Sequence, residues 1–168
     1  QEGVRAVFGI PGVHNLAMYD ALTQFDDLRH YVTRHEQGAG FIADGYARAS
    51  GEIGVVLVTT GPGALNTLTP MQEAFGASSP LLVISSQVPA KYIGKQKGIL
   101  HEVDDQFAMF KPVSGQQRFI DSVEAIPEAI HDVLHGMRSG RPRPAYVEIP
   151  YDVLNAQAET DLGRPQAV

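Results

Sequence analysis

At 168 residues, with 43% of them apolar and only 19% charged, the chain has the size of one domain and a composition able to fold around a sizeable core. Its net charge of -6, with 13 Lys and Arg clustered on no single helix, excludes a phosphate-tracking nucleic-acid binder, and no apolar run approaches the roughly 20 residues of a membrane span. The absence of cysteine excludes disulfides, thiolate nucleophiles and Cys-based zinc sites together; with no leader pattern, a cytoplasmic setting and small-molecule partners are expected.

In chain order, short β-branched runs alternate with segments of helical period, the pattern of parallel strands joined by crossover helices. A strand is predicted at "VRAVFGI" (4–10) and a helix over 14–24; then "LRHYVTR" (28–34) and a helix over 37–49; then "GVVLVTT" (54–60) and a helix over 63–76. "LLVISSQ" (81–87) precedes a helix over 103–109, "KPVSGQ" (111–116) a helix over 123–138, and "AYVEIP" (145–150) closes the set. In the last helix Ile126, Ile130, Val133 and Met137 recur at helical spacing, Pro127 suits a first turn, and Gly140 before "RPRP" stops it. Six strands predict an α/β fold: one doubly wound, mainly parallel sheet with helices on both faces, over residues 1–155. The aperiodic tail, 156–168, reads as a linker, and Gln1 followed so soon by a strand suggests a piece of a longer protein.

In open α/β sheets ligands gather at the carboxyl ends of strands, which draws attention to "IPGVHN", "RHEQGA", "TTGPGALN" and "QVPAKYIGKQKGILHEVDD". "TTGPGALN" opens a helix after a strand, but it lacks the GxxxxGK[ST] of a P-loop, and a GxGxxG fingerprint fails at Asn66. A tight turn chosen for backbone shape and a ligand-facing turn both remain open. "RHEQGA" is not a zincin HExxH, since Ala39 stands where the second histidine belongs. His131 and His135 share their helix side with Glu128, Asp132 and Arg138 and read as a solvated face, as do Lys91, Lys95 and Lys97. Glu36 differs: Gly38, Ala39, Gly40, Phe41, Ile42 and Ala43 follow it, predicting a buried strand-to-helix junction. A carboxylate buried there either pairs with Arg34 or His35, or is an acid that shares its hydrogen with a ligand nitrogen.

"VTRHEQGAGFIADGYARASG", "VTTGPGALNTLT", "SPLLVISSQVP" and "SGRPRPAYVEIPYDV" together resemble the N-terminal, aminopyrimidine-binding domain of thiamine-diphosphate enzymes of the acetolactate synthase and 2-keto-acid decarboxylase group, over residues 3–155. The resemblance implies the thiamine-diphosphate-binding fold and a catalytic role for Glu36, whose counterpart hydrogen-bonds N1′ of the aminopyrimidine so that the exocyclic nitrogen can take the thiazolium C2 proton. A 2-keto acid then loses carbon dioxide, and the product is protonated to an aldehyde or joined to a second carbonyl compound. By the same carry-over Pro11, Gly12, Glu36, Pro62, Gly63 and Asn66 are the expected cofactor contacts, and His101 lies in a loop approaching thiazolium and substrate. Leu100, His101 and Glu102 depart from the Phe-Gln that acetolactate synthases carry before this acid. A histidine there resembles the decarboxylases, leaving His101 as either a proton carrier or a polar loop residue.

No GDG motif, which the family uses with a trailing Asn to hold Mg2+ and the diphosphate, occurs here, and Asp44 in "ADGYAR" falls inside a helix. The resemblance therefore implies an active site shared with the diphosphate-binding domain of another subunit in a homodimer or homotetramer, inactivity alone, and an interface left bare. FAD is possible but not indicated. The competing expectation is a catalytically silent binding or assembly module of the same fold.

Overall fold

The computed structural model describes residues 2–159. Its sheet is built from β1 (Ala6–Gly9), β2 (Arg29–Val32), β3 (Gly54–Val58), β4 (Leu81–Gln87), β5 (Gln116–Phe119) and β6 (Ala145–Pro150). All pair in parallel, in the order β2-β1-β3-β4-β6-β5. The connecting helices are α1 (Leu16–Leu22), α2 (Glu36–Ser50), α3 (Pro62–Leu65), α4 (Leu68–Ala77), α5 (Gln106–Met109) and α6 (Ile126–Arg138), with α7 (Tyr151–Leu154) after the last strand.

Alternation along the strands produces two cores. On one face Ala6, Phe8, Val56, Val58, Leu81, Val83 and Tyr146 meet Ala39 and Ala43 of α2, Met71 and Ala74 of α4, and Phe110. On the other, Val7, Val55, Leu57, Leu82, Val147 and Ile149 meet Val133, Leu134 and Met137 of α6. An apolar groove of about 400 Å³ runs on this second face between α1 and α6, floored by Val55, Leu57, Leu82 and Ile84.

Three expectations are corrected. The strand expected at 111–116 is β5, at Gln116–Phe119; Lys111–Val113 form a 3-10 turn. Pro112 has no N–H for a ladder, and the Ser114 hydroxyl donates to the Phe110 carbonyl, which holds the turn. The helix expected over 63–76 is two, α3 and α4, because Pro70 cannot donate to the Asn66 carbonyl and the Thr67 hydroxyl donates to Ala64 O at 2.7 Å. The helix expected from residue 103 is a single turn starting at Gln106, capped by the Asp105 carboxylate accepting from Ala108 N. Of the expected linker, residues 156–159 carry no regular structure and 160–168 lie outside the described residues. Among the described residues no helix is long and apolar enough to cross a membrane.

Candidate functional site

Glu36 is the first residue of α2, and its entry is fixed locally: His35, the N-cap, accepts from Gln37 N at 3.1 Å, and the Thr33 hydroxyl donates to His35 O. Asn66, which ends α3, donates from Nδ2 to Glu36 Oε2 at 2.9 Å. Neither Arg34 nor His35 forms an ion pair with Glu36 among the described residues. The expected deep burial is also corrected: Glu36 is half-buried, and Phe41 and Ile42 are 44% and 50% exposed. Of α2, the small residues Ala39, Gly40, Ala43 and Ala47 turn to the protein interior, together with Asp44.

Gly63 is buried in the turn opposite Glu36. A methyl group there would sit 2.7 Å from Thr59 Cγ2 and 3.6 Å from Glu36 Oε1, and one on Gly12 would sit 2.8 Å from Thr59 Cβ. Two loops that follow β1 and β3 thus meet across Thr59. The Thr59 hydroxyl is buried without a hydrogen-bond partner among the described residues, an arrangement that costs free energy unless a ligand satisfies it. Pro11 and Pro62 stand exposed beside these glycines. Pro62 occupies the first position of α3, where its missing N–H is harmless.

His101 is half-buried and has φ of 64°, a backbone conformation uncommon for a residue with a side chain. Its carbonyl packs against Gly61, where φ is 62° and any side chain would collide with it. The ring of His14, from the loop after β1, lies edge-on to His101 at 5.8 Å and to Tyr151 at 5.6 Å. Burial first, and the neighbouring charge of His101 second, hold the His14 imidazole below its ordinary pKa. Nδ1 of His14 and of His101 is buried without a partner among the described residues.

Behind the turn lies a polar network in the first core. Gly61 N donates to Gln106 Oε1 at 2.6 Å, and Gln106 Nε2 reaches Tyr146 Oη at 2.8 Å and Glu148 Oε2 at 2.9 Å. Tyr146 donates to Glu148 Oε2 at 2.5 Å and Gln87 Nε2 to Glu148 Oε1 at 3.0 Å. Glu148 is 1% exposed; burial first raises its carboxyl above the usual range, while bonds from Tyr146, Gln106 and Gln87 pull it back.

Glu36, Asn66, Gly63 and Gly12 therefore come together, and His101 abuts the same turn through Gly61. Sequence reasoning missed Thr59, His14, Gln106 and Glu148; the signal for Glu148 was an acid inside the apolar run "AYVEIP". Asp44 is 4% exposed and bonded to Arg48, and His131 pairs with Glu2. The donor set suits a flat heterocycle: a carboxyl group with Oε1 uncommitted among the described residues, an orphaned hydroxyl, and two glycines that let both loops close on Thr59.

The model of a family described as "Thiamine pyrophosphate enzyme, N-terminal TPP binding domain" matches residues 1–109. Similar proteins include a probable 2-ketoarginine decarboxylase of Pseudomonas aeruginosa, 49% identical over 159 residues, covering 95% of this chain and 28% of that protein. The large subunit of acetolactate synthase isozyme 1 of Escherichia coli is 40% identical over 96% of this chain and 28% of its own length. The mitochondrial acetolactate synthase catalytic subunit of Saccharomyces cerevisiae is 41% identical over 93% of the chain and 22% of its own length. The chain thus spans between a fifth and a third of these relatives.

Proposed function

From the premise that this chain belongs to the thiamine pyrophosphate enzymes, as an N-terminal TPP-binding domain, we propose that it forms the aminopyrimidine side of the active site of an enzyme acting on a small 2-keto acid. When bound, thiamine diphosphate supplies the carbon nucleophile and electron sink that decarboxylation of a 2-keto acid requires. The residues of this chain bind it, orient it and move one proton. Glu36 Oε1 would share a hydrogen with the ring nitrogen N1′, while Asn66 holds Oε2 and so fixes the plane of the carboxyl group. Gly63 and Pro62 form the wall of the ring pocket, with Pro11 and Gly12 from the first loop beside it. His101 is assigned the proton delivered to the product or taken from the substrate, an assignment that favours aldehyde release over ligation to a second carbonyl compound.

Mg2+ and the diphosphate fall to a separate domain, contributed by another subunit of a homodimer or homotetramer, and FAD has no assigned residue here. The setting consistent with this chemistry is cytoplasmic. The reading is carried by one observation: a half-buried glutamate that is oriented by an amide rather than neutralised by a cation, with its second oxygen facing a glycine. In the full-length enzyme, Glu36→Gln slows hydrogen–deuterium exchange at C2 of bound cofactor by about 10²- to 10⁴-fold, read by NMR. Unchanged exchange would leave the silent assembly module as the better account.

A further inference from the structure

Gln106 has no role in the reaction just described, yet it is 1% exposed and sits where three pieces of chain meet. Its Oε1 takes the N–H of Gly61, the residue that begins the glycine turn. Its Nε2 is held between Tyr146 Oη and Glu148 Oε2, with Ser86 O at 3.2 Å and Ser85 Oγ at 3.3 Å. Glu148 is itself clamped by Tyr146 and Gln87, and Gln87 Oε1 accepts from Val88 N at 2.8 Å. The chain of bonds thus runs from β4 and β6, in the rigid centre of the sheet, to one amide in the turn. Gln106 also ends the loop that carries His101, whose carbonyl rests on that same Gly61.

The geometry points to Gln106 as a positioning residue: together with Glu148 it locks the Gly61–Gly63 turn and the His101 loop to the sheet as one unit, setting the face that Gly63 and Asn66 present to Glu36. This rests on the cofactor reading of that face given above. The polarity of the network makes the idea testable. Glu148 accepts from every neighbour, whereas Gln106 accepts on the Gly61 side and donates on the Glu148 side. Gln106→Glu sets two carboxylates against each other, and Glu148→Gln sets two amide NH2 groups against each other. Exchanging the two, Gln106→Glu with Glu148→Gln, restores the bonds to Gly61, Tyr146 and Gln87. It removes the donor to Ser86 O, which still accepts from the Ser85 hydroxyl, and the long 3.3 Å bond to Ser85 Oγ.

The test measures thiamine diphosphate affinity of the full-length protein by calorimetry, its thermal midpoint, and hydrogen exchange at the Gly61 amide in the cofactor-free protein. Each single variant is expected to raise Kd roughly ten- to a hundredfold and to speed Gly61 exchange, with the double variant recovering at least tenfold of that affinity. Unchanged affinity in the singles, or a double variant as weak as the worse single, would overturn the proposal. If a single variant fails to fold, the wild-type protein still decides: Gly61 exchanging as fast as the exposed amides of Gln157 and Ala158 would overturn it, and protection would support it. Glu36→Gln is the parallel arm. Normal C2 exchange there sinks the cofactor reading, whereas slowed C2 exchange with an unresponsive Gln106 sinks this inference alone.

Discussion

Asn66 decides what Glu36 can do, because its amide is the one hydrogen-bond partner of that carboxyl group among the described residues. Asn66→Ala releases Glu36 Oε2 while leaving α3 intact, and cofactor affinity is expected to fall about tenfold, in line with loss of one orienting hydrogen bond. Asn66→Asp puts two carboxyl groups at contact distance and is expected to cost more; calorimetric titration of both variants checks the order. The glycine opposite is tested by size. Gly63→Ala forces a methyl group against Thr59 Cγ2, an overpacking that costs about 1–3 kcal/mol. Adding Thr59→Ser removes that carbon, so the pair should recover thermal stability while the methyl group, 3.6 Å from Glu36 Oε1, still weakens cofactor binding. A double variant no more stable than Gly63→Ala would show that the contact is not the cause. Glu36 and the glycine turn were legible in the sequence because parallel sheets concentrate ligand contacts past their strand ends, and both stretches fall there. Thr59 and His14 were not legible as site residues: a hydroxyl and an imidazole become notable only when the fold strips them of partners.

At the scale of the elements, β4 and β6 were recovered residue for residue, since β-branched runs buried on both faces leave little freedom in where a strand begins. The edge strand β5 was not: its "QQRF" is polar and half-exposed and carries no apolar run. The same central position that made β6 legible creates its one electrostatic cost. Glu148 is pushed above the ordinary carboxyl value of 4.5, chiefly by burial, so the folded chain holds its proton more tightly than the unfolded chain does. The contribution to stability is therefore fully present below pH 4.5 and is lost as pH rises through the folded value. Thermal midpoints of wild type and Glu148→Gln measured from pH 4 to pH 8 should converge as pH rises, because only the wild type carries this loss. A constant difference across the series would mean that Glu148 does not titrate in that window. The element as a whole thus accepts an ionisable group in a dry layer, and the converging donors of Tyr146, Gln106 and Gln87 are what limit the cost.

Over the whole molecule, four of the ten large apolar side chains exposed among the described residues fall on β2 and α2, while Val13, Leu16, Phe25, Leu100, Met109 and Phe119 lie elsewhere. Tyr31 and Val32 at the end of β2 are 47% and 68% exposed, and Phe41 and Ile42 follow on the outward side of α2. Gly38 and Gly45 on this helix have open space where a side chain would lie, so a partner backbone can approach closely. A helix that buries chiefly alanine and glycine, with Asp44 held by Arg48, and turns Phe and Ile outward is inverted for a monomer. The inversion makes sense if Glu36, half-buried at the head of the same helix, completes its enclosure through association. Sedimentation of this 168-residue chain over a hundredfold concentration range should therefore reveal reversible self-association. Phe41→Glu with Ile42→Lys should abolish it without changing the far-ultraviolet circular dichroism, because both side chains point away from either core. A chain that stays monomeric throughout would remove α2 from the interface and leave the exposure of Phe41 and Ile42 without a partner to account for it.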